Sequence, residues 1–217
     1  MEDPSEMDKY SSFQQLKDSE RNYSITAENR YSIFAIFAPH GGGIDLGTSE
    51  IAEEIAGEDF SVYLFQGRKS KGNKDLHLAS EKFDEPEALQ LAEETEIILA
   101  IHSCENQTDK IYIGGLHDRL REEIDKALKS SGFKTSLAPP VSLAGRHPKN
   151  ICNRGTSGEG VQLEICKGLR SKMFGDLNTR EGRNIKRDIF YQFCEAIKAV
   201  LKQYIKSVSP PANRFSG

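Results

Sequence analysis

Apolar residues recur along this chain in short, nearly continuous runs separated by amphipathic stretches. The runs are rich in aromatic and branched residues, a pattern typical of buried strands. They predict strands at 31–38, 61–65, 96–101, 111–113 and 160–165, with a weaker one at 76–80. Helices are predicted at 48–56, after Asp84, and at 118–128. Because strands alternate with helices, we predict a single α/β domain with a mixed, mostly parallel central sheet and helices on both faces.

One further apolar repeat marks the C-terminal part of the chain. Apolar residues recur at every fourth position from Ile185 to Ile205, which predicts a long helix with one apolar face. We assign that face to the hydrophobic core. The polar residues 1–30 are predicted to form an N-terminal arm, residues 31–208 the folded domain, and residues 209–217 a C-terminal tail.

The composition limits the partners that this chain can have. Of its 217 residues, 37% are hydrophobic and 8% aromatic, which is enough for one core. The net charge of -4 disfavours broad attraction to nucleic acid or to an anionic membrane. No apolar run approaches the roughly 18 residues that span a bilayer, and the acidic start is unlike a secretory signal. We expect a soluble monomer without a signal peptide, cytoplasmic on synthesis, with no nucleic-acid or membrane partner.

Two of the five histidines directly follow predicted strands. His40 lies after the strand at 31–38, and His102 lies after the strand at 96–101. Because ligands gather outside the carboxyl ends of parallel strands, both side chains are predicted at one edge of the sheet. A lone histidine there is usually a hydrogen-bonded structural residue, but two at equivalent edges indicate a metal site. Catalytic zinc commonly takes two histidines and one carboxylate and leaves a position for water.

Two carboxylates lie within reach of His40 in the sequence. Three glycines, 41–43, allow the backbone to turn sharply so that Asp45 can approach the same metal ion. Glu50 lies in the first turn of the predicted helix, where the helix dipole favours a carboxylate even without a metal. Asp45 is therefore the preferred ligand, and Glu50 remains the alternative.

Glu164 is the candidate general base. It lies near the end of the predicted strand 160–165 among apolar residues, where an unpaired charge would cost several kcal/mol. Hydrolysis at a metal site needs a base that takes the proton of water and returns it to the leaving amine. A buried salt bridge is the alternative interpretation of this carboxylate.

The chain carries one cationic stretch, because residues 126–158 contain no Asp or Glu. Within it, Arg146 and Arg154 can each bind a carboxylate through two hydrogen bonds. Asn150 and Asn153 offer amide donors beside them. The stretch is a candidate docking site for an anionic substrate, and a solvated basic loop is the alternative.

Four separated motifs occur in an order that resembles a known family. The segments APHGGGIDLGTSEIA, IHSCEN, NICNRG and GVQLEI are similar to those of the phage and bacillus poly-γ-glutamate hydrolases. The similarity runs from about Tyr31 to the C-terminal helix. It implies a zinc carboxypeptidase-like fold and a zinc metallopeptidase that cleaves the γ-glutamyl amide bonds of poly-γ-glutamate.

The resemblance also implies roles for individual residues. Carried over by position, it makes His40, Asp45 and His102 the ligands of one zinc ion and Glu164 the base that activates the zinc-bound water. Glu50 stays the alternative carboxylate ligand.

The resemblance further implies how an anionic chain is held. Asn153 and Arg154 resemble a carboxylate-binding pair, and Arg146 would be a second anchor or would polarise the scissile carbonyl. The expected substrate is poly-γ-glutamate or another glutamate-rich anion, reached outside the cell after host lysis or release. The alternatives are a zinc amidohydrolase or desuccinylase acting on small N-acyl amino acids and a non-catalytic polyanion-binding protein.

Overall fold

The structure, a computed structural model, describes residues 8–208; residues 1–7 and the predicted C-terminal tail at 209–217 lie outside the described residues. The strands within 8–208 are β1 (Tyr23–Glu28), β2 (Phe34–Gly42), β3 (Ser61–Gly67), β4 (Ile97–Cys104), β5 (Lys110–Gly115), β6 (Lys134–Ser136) and β7 (Val161–Cys166). They form one sheet in the order β1-β3-β2-β4-β7-β5-β6. The central strands β3, β2, β4 and β7 are parallel, whereas β1 and β5 run antiparallel to β3 and β7.

Helices cover both faces of this sheet. They are α1 (Phe13–Ser19), α2 (Thr48–Ala56), α3 (Pro86–Glu93), α4 (Asp118–Ser130), α5 (Lys167–Met173), α6 (Arg180–Asn184) and α7 (Asp188–Val208). Alternate residues of β2 point to opposite faces, as the pleat requires. Phe34 and Ile36 join a core cluster with α2, α4 and α7, while Ala35 and Phe37 join a second cluster with α1 and α3. The predicted α/β class, with a mixed sheet between two helical layers, is confirmed.

The central strands extend further than their apolar runs. β2 is buried at all nine positions through Gly42, and β4 continues through Cys104. His40 and His102 therefore lie within the last residues of their strands rather than after them. Buried backbone N–H and C=O groups need partners whatever side chain they carry, so strand pairing continues past the end of the apolar pattern.

Two local predictions need correction. The weaker strand predicted at 76–80 is wrong, because Asn73–Leu76 forms a 3₁₀ turn and residues 77–79 have no regular structure. The C-terminal helix begins at Asp188, so Ile185 precedes it and is 63% exposed. No helix formed by residues 8–208, α7 included, combines the length and hydropathy needed to cross a membrane.

The structure differs from the predicted polar arm over residues 8–30. Residues in this range form α1 and β1, and β1 pairs with β3 along its whole length. Phe13 and Leu16 are buried in the core cluster beneath α3. A few apolar residues spaced for one helix face are sufficient to attach this polar segment to the sheet.

We expect Leu16→Ala to destabilise the whole protein. Leu16 is fully buried, and removing such a side chain typically costs about 2–5 kcal/mol because a cavity remains. Val141→Ala is the control, since Val141 is 95% exposed and its truncation should change stability by less than about 0.5 kcal/mol. Chemical denaturation monitored by circular dichroism measures both. Equal unfolding free energies for Leu16→Ala and wild type would show that α1 is not part of the cooperative unit.

Candidate functional site

Three of the predicted site residues meet at the carboxyl end of the sheet. The ligand atoms of His40, Asp45 and His102 all lie within 4.8 Å of one another, and all three side chains are buried. The Nδ1 atoms of the two histidines are 3.2 Å apart, and Asp45 Oδ2 lies 3.8 Å from His40 Nδ1. Two imidazole nitrogens and one carboxylate oxygen at these separations form a donor set that suits zinc and leaves a position for water.

The protein around the histidines sets which ring nitrogen can bind a metal. His40 Nε2 lies 2.7 Å from the Leu78 carbonyl oxygen, which can only accept, so Nε2 carries the proton and Nδ1 is free. His102 Nε2 lies 3.4 Å from Ser80 Oγ, which leaves its Nδ1 facing that of His40. Burial lowers the pKa of His40 well below its ordinary value and that of His102 to about 4. Both rings are therefore neutral at neutral pH, which is the form of histidine that binds a metal.

The backbone at the end of β2 sets the direction of the His40 side chain and turns so that Asp45 lies near it. The pairing of β2 with β3 shifts between Ala38 and Gly41, a bulge that redirects the side chain between them. Gly42 has φ of 65°, and a β-carbon there would lie 2.5 Å from the carbonyl oxygen of Gly67, so glycine is required. Asp45 N then donates to His40 O at 2.7 Å, which closes the turn.

Glu50, the alternative ligand, is directed elsewhere. Its Oε1 accepts from Arg183 Nε at 2.7 Å, and the Arg183 guanidinium also donates to the Leu177 carbonyl at 2.9 Å. Asp45 Oδ1 instead contacts Lys74 Nζ at 3.0 Å, which leaves Oδ2 toward the histidines. The structure thus brings Asp45, and not Glu50, to the two imidazoles.

Substituting the two carboxylates separately should distinguish their roles. We expect Asp45→Asn to weaken zinc binding by at least about 100-fold, because the ligand loses its charge, with little loss of stability. Glu50→Gln should keep zinc affinity and lower the unfolding free energy, because it weakens the partly buried pair with Arg183. Competition against a chromophoric chelator measures the first effect, and thermal unfolding measures the second. The reverse pattern would make Glu50 the ligand.

Glu164 lies on the strand next to His102. In the parallel pairing of β4 with β7 the two residues are opposite one another. Glu164 Oε1 accepts from Gln162 Nε2 at 2.9 Å, while Oε2 is buried without a hydrogen-bond partner. Burial, reinforced by the nearby Asp45 carboxylate, raises the pKa of Glu164 well above its ordinary value. A buried carboxylate with one free oxygen and a raised pKa is suited to accept a proton.

The two asparagines predicted to bind substrate make internal hydrogen bonds instead. Asn150 Nδ2 donates to Gln162 Oε1 at 3.0 Å, and its Oδ1 accepts from Cys152 N. Asn153 Oδ1 accepts from two backbone N–H groups, and its Nδ2 donates to the carbonyls of Gly145 and His147. Asn150 therefore reaches the site through Gln162, a contact that sequence analysis missed.

The two arginines of the cationic stretch make different contacts. Arg146 is half exposed, and its Nη1 lies 3.4 Å from Asp118 Oδ1. Arg154 is exposed, and the residues after it bond to the backbone of Thr95 and Glu96, where β4 starts. Since β4 rises ~3.3 Å per residue, the six residues from there to His102 span about 20 Å. The structure does not bring Arg154 to His40, Asp45 and His102.

Two polar residues beside His40 and Asp45 were not predicted. The His77 ring centroid lies 4.0 Å from that of His40, and His77 Nδ1 lies 2.6 Å from Asp8 Oδ1. Lys74 Nζ contacts Asp45, as described above. Both residues belong to the segment after β3, whose sequence RKSKGNKDLH is rich in basic residues. That density of positive charge was the signal available in the sequence.

Comparisons with known proteins identify relatives that match most of this chain. The family described as poly-gamma-glutamate hydrolase matches residues 10–196 of this chain. The SPbeta prophage-derived UPF0714 protein YoqZ of Bacillus subtilis (strain 168) is 37% identical over 91% of this chain and 72% of its own length. The UPF0714 protein YndL of the same organism is 35% identical over 90% of this chain and 78% of its own length.

Two solved structures resemble the whole domain. The structure of a bacteriophage poly-gamma-glutamate hydrolase superposes with a TM-score of 0.89 at 31% identity, covering 93% of this chain and 100% of the other. The structure named YNDL-apo (Zinc-free) superposes with a TM-score of 0.87 at 33% identity, covering 91% and 98%. The match spans the strands that carry His40, His102 and Glu164. This chain belongs to the poly-gamma-glutamate hydrolase family.

Proposed function

We propose that this protein is a zinc-dependent hydrolase that cleaves the γ-glutamyl amide bonds of poly-γ-glutamate. The observation that carries the proposal is the meeting of two Nδ1 atoms and one carboxylate oxygen within 4.8 Å, with Glu164 opposite one of the histidines on the next strand. The family membership and the zinc-free state named for the related YndL structure support the metal and the reaction type.

In this proposal His40, Asp45 and His102 hold one zinc ion. When bound, zinc supplies a Lewis acid that polarises the scissile carbonyl and acidifies a water molecule. Glu164 takes the proton of the attacking water on its unpartnered Oε2 and delivers it to the leaving amine. Gln162 holds the other carboxylate oxygen and so keeps Oε2 directed at the reacting atoms.

The substrate carboxylates need cations close to the metal ligands. Arg146 and Lys74 are both more than half exposed at the side chain, so their charges are available to an anionic chain. We assign substrate anchoring to these two residues: Lys74 contacts Asp45, and Arg146, which lies at Gly115 and Asp118, would bind a carboxylate farther along the polymer. Asn150 contributes indirectly through Gln162, and Asn153 keeps the cationic stretch folded. Arg154 would contact only a distal part of a long polymer.

Incubation with high-molecular-weight poly-γ-glutamate tests the proposal. We expect the polymer to shorten on a gel, a chelator to stop the reaction, and added zinc to restore it. Poly-α-glutamate is the matched control, since it carries the same charge on a different amide bond and should stay intact. If zinc is bound stoichiometrically and the γ-polymer is neither bound nor cut, a small N-acyl amino acid becomes the candidate substrate. If no reaction accompanies polymer binding, the protein is a polyanion-binding module.

A further inference from the structure

One buried arginine joins the three segments that carry the proposed site. Arg170 lies in α5, the helix that starts directly after β7, and it is 1% exposed. Its Nε donates to the Ile165 carbonyl at 3.0 Å. Its Nη1 donates to the Leu46 carbonyl at 2.6 Å, and Nη2 to the Cys104 carbonyl at 3.3 Å. A single guanidinium therefore binds the backbone at the end of β7, after β2, and at the end of β4.

Each of these carbonyls is one or two residues from a residue of the site. Leu46 directly follows Asp45, and Ile165 directly follows Glu164. Cys104 lies two positions after His102. Buried carbonyls at the ends of strands need donors from outside the sheet. We propose that Arg170 is a positioning residue that sets the spacing of the metal ligands and the general base through these three hydrogen bonds. This inference rests on the proposed function, since it concerns the same site.

The chemistry of the guanidinium explains why arginine is needed. It offers five N–H donors in one plane, so it can serve three acceptors in different directions. A lysine ammonium is a compact group on a flexible stem and cannot reach all three carbonyls at once. The carboxylate nearest to Arg170 among the described ion pairs is Glu105, at 3.6 Å and 64% exposed, so that pair is weak. The backbone contacts are therefore the main interaction of this side chain.

Arg170→Lys and Arg170→Met test the inference, with Arg121→Lys as the matched control. Arg121 is also buried, and its Nη2 donates to the carbonyls of Leu137 and Ile113, but neither carbonyl adjoins a ligand or the base. The measurements are the zinc Kd by competition with a chromophoric chelator, the absorption spectrum of the Co²⁺-loaded protein, and the Tm of the zinc-free protein. None of the three needs substrate.

We expect Arg170→Lys to weaken zinc binding by about 10- to 100-fold and to alter the Co²⁺ spectrum, as loss of an outer partner of a metal site does. Arg170→Met should weaken zinc binding further. If the Arg170→Met variant does not fold, Arg170→Lys is decisive. Arg121→Lys should lower the Tm and leave both metal readouts unchanged. Unchanged zinc affinity in Arg170→Lys, or an equal loss in both lysine variants, would overturn the inference. A wild-type protein that binds no zinc would instead refute the proposed function itself.

Discussion

Glu164→Gln is expected to lower kcat for poly-γ-glutamate cleavage by about 100- to 10,000-fold, the range that a general base contributes. The substitution keeps the shape of the side chain and removes its ability to take a proton. Zinc affinity and KM should change little, because Glu164 is assigned neither to the metal nor to the substrate carboxylates. Initial rates at saturating polymer, with the zinc content of each sample measured, give kcat. Full activity in this variant would exclude Glu164 as the base.

The same variant should be more stable than wild type when zinc is removed. Burial raises the pKa of Glu164, so the folded protein favours the protonated carboxyl more than the unfolded chain does. A group with a raised folded-state pKa loses its stabilising contribution as pH rises from its unfolded pKa, here near 4.5, through its folded pKa. Glutamine stays neutral, so the gain in Tm should be absent at acidic pH and appear as pH rises.

Gln162→Leu is a useful companion to that measurement. Gln162 donates to Glu164 Oε1 and accepts from Asn150 Nδ2, so its loss should lower kcat while leaving a chemically intact base.

A Tm for Glu164→Gln below that of wild type across the pH range would favour a structural ion pair, the alternative interpretation of Glu164.

His102→Ala is expected to produce the second large effect, the loss of zinc-dependent activity at stoichiometric zinc. Removing an outer partner of a metal site costs about 10- to 100-fold in affinity, and removing a ligand should cost more. The His102 ring is buried and its Nδ1 lies 3.2 Å from that of His40, so alanine at this position removes one of the two facing imidazole nitrogens. Zinc content after dialysis and polymer cleavage with one equivalent of added zinc measure the effect.

His117→Ala is the matched control for His102→Ala. His117 caps α4 through Leu120 N, and its Nε2 contacts the Tyr204 hydroxyl, away from the ligands. Its removal should lower the Tm, since a helix cap typically contributes about 1 kcal/mol, and should leave zinc content unchanged. Stoichiometric zinc in dialysed His102→Ala would show that the metal is held by other residues.

Much of the fold could be predicted because most of its strands have a clear local pattern of apolar residues. The residues of β2, β4 and β7 are buried on both faces, so their apolar runs are nearly continuous and readable without any tertiary information. α1 and β1 were missed because β1 is only partly buried and α1 buries just Phe13 and Leu16, so neither produces a strong apolar pattern.

The candidate site, like the fold, was predicted only in part from the sequence. The sequence alone predicted that His40, His102 and Glu164 lie at or near the carboxyl ends of three strands of one sheet, because parallel strands share their carboxyl edge. Strand register then decided that His102 and Glu164 lie opposite one another. The choice of Asp45 over Glu50 depended on a partner more than 130 positions away, Arg183.

Only the tertiary structure decided which polar residues serve the site and which serve the fold. Asn150, Asn153 and Arg154 lie within one stretch of five residues, so their local surroundings in the sequence are similar. They differ in the structure because Asn150 donates to Gln162 on β7, Asn153 donates to the Gly145 carbonyl, and Arg154 is exposed. Periodicity records which residues are buried, because burial repeats along an element. It does not record which atom a buried polar group meets, because that partner is set by how separate segments pack together.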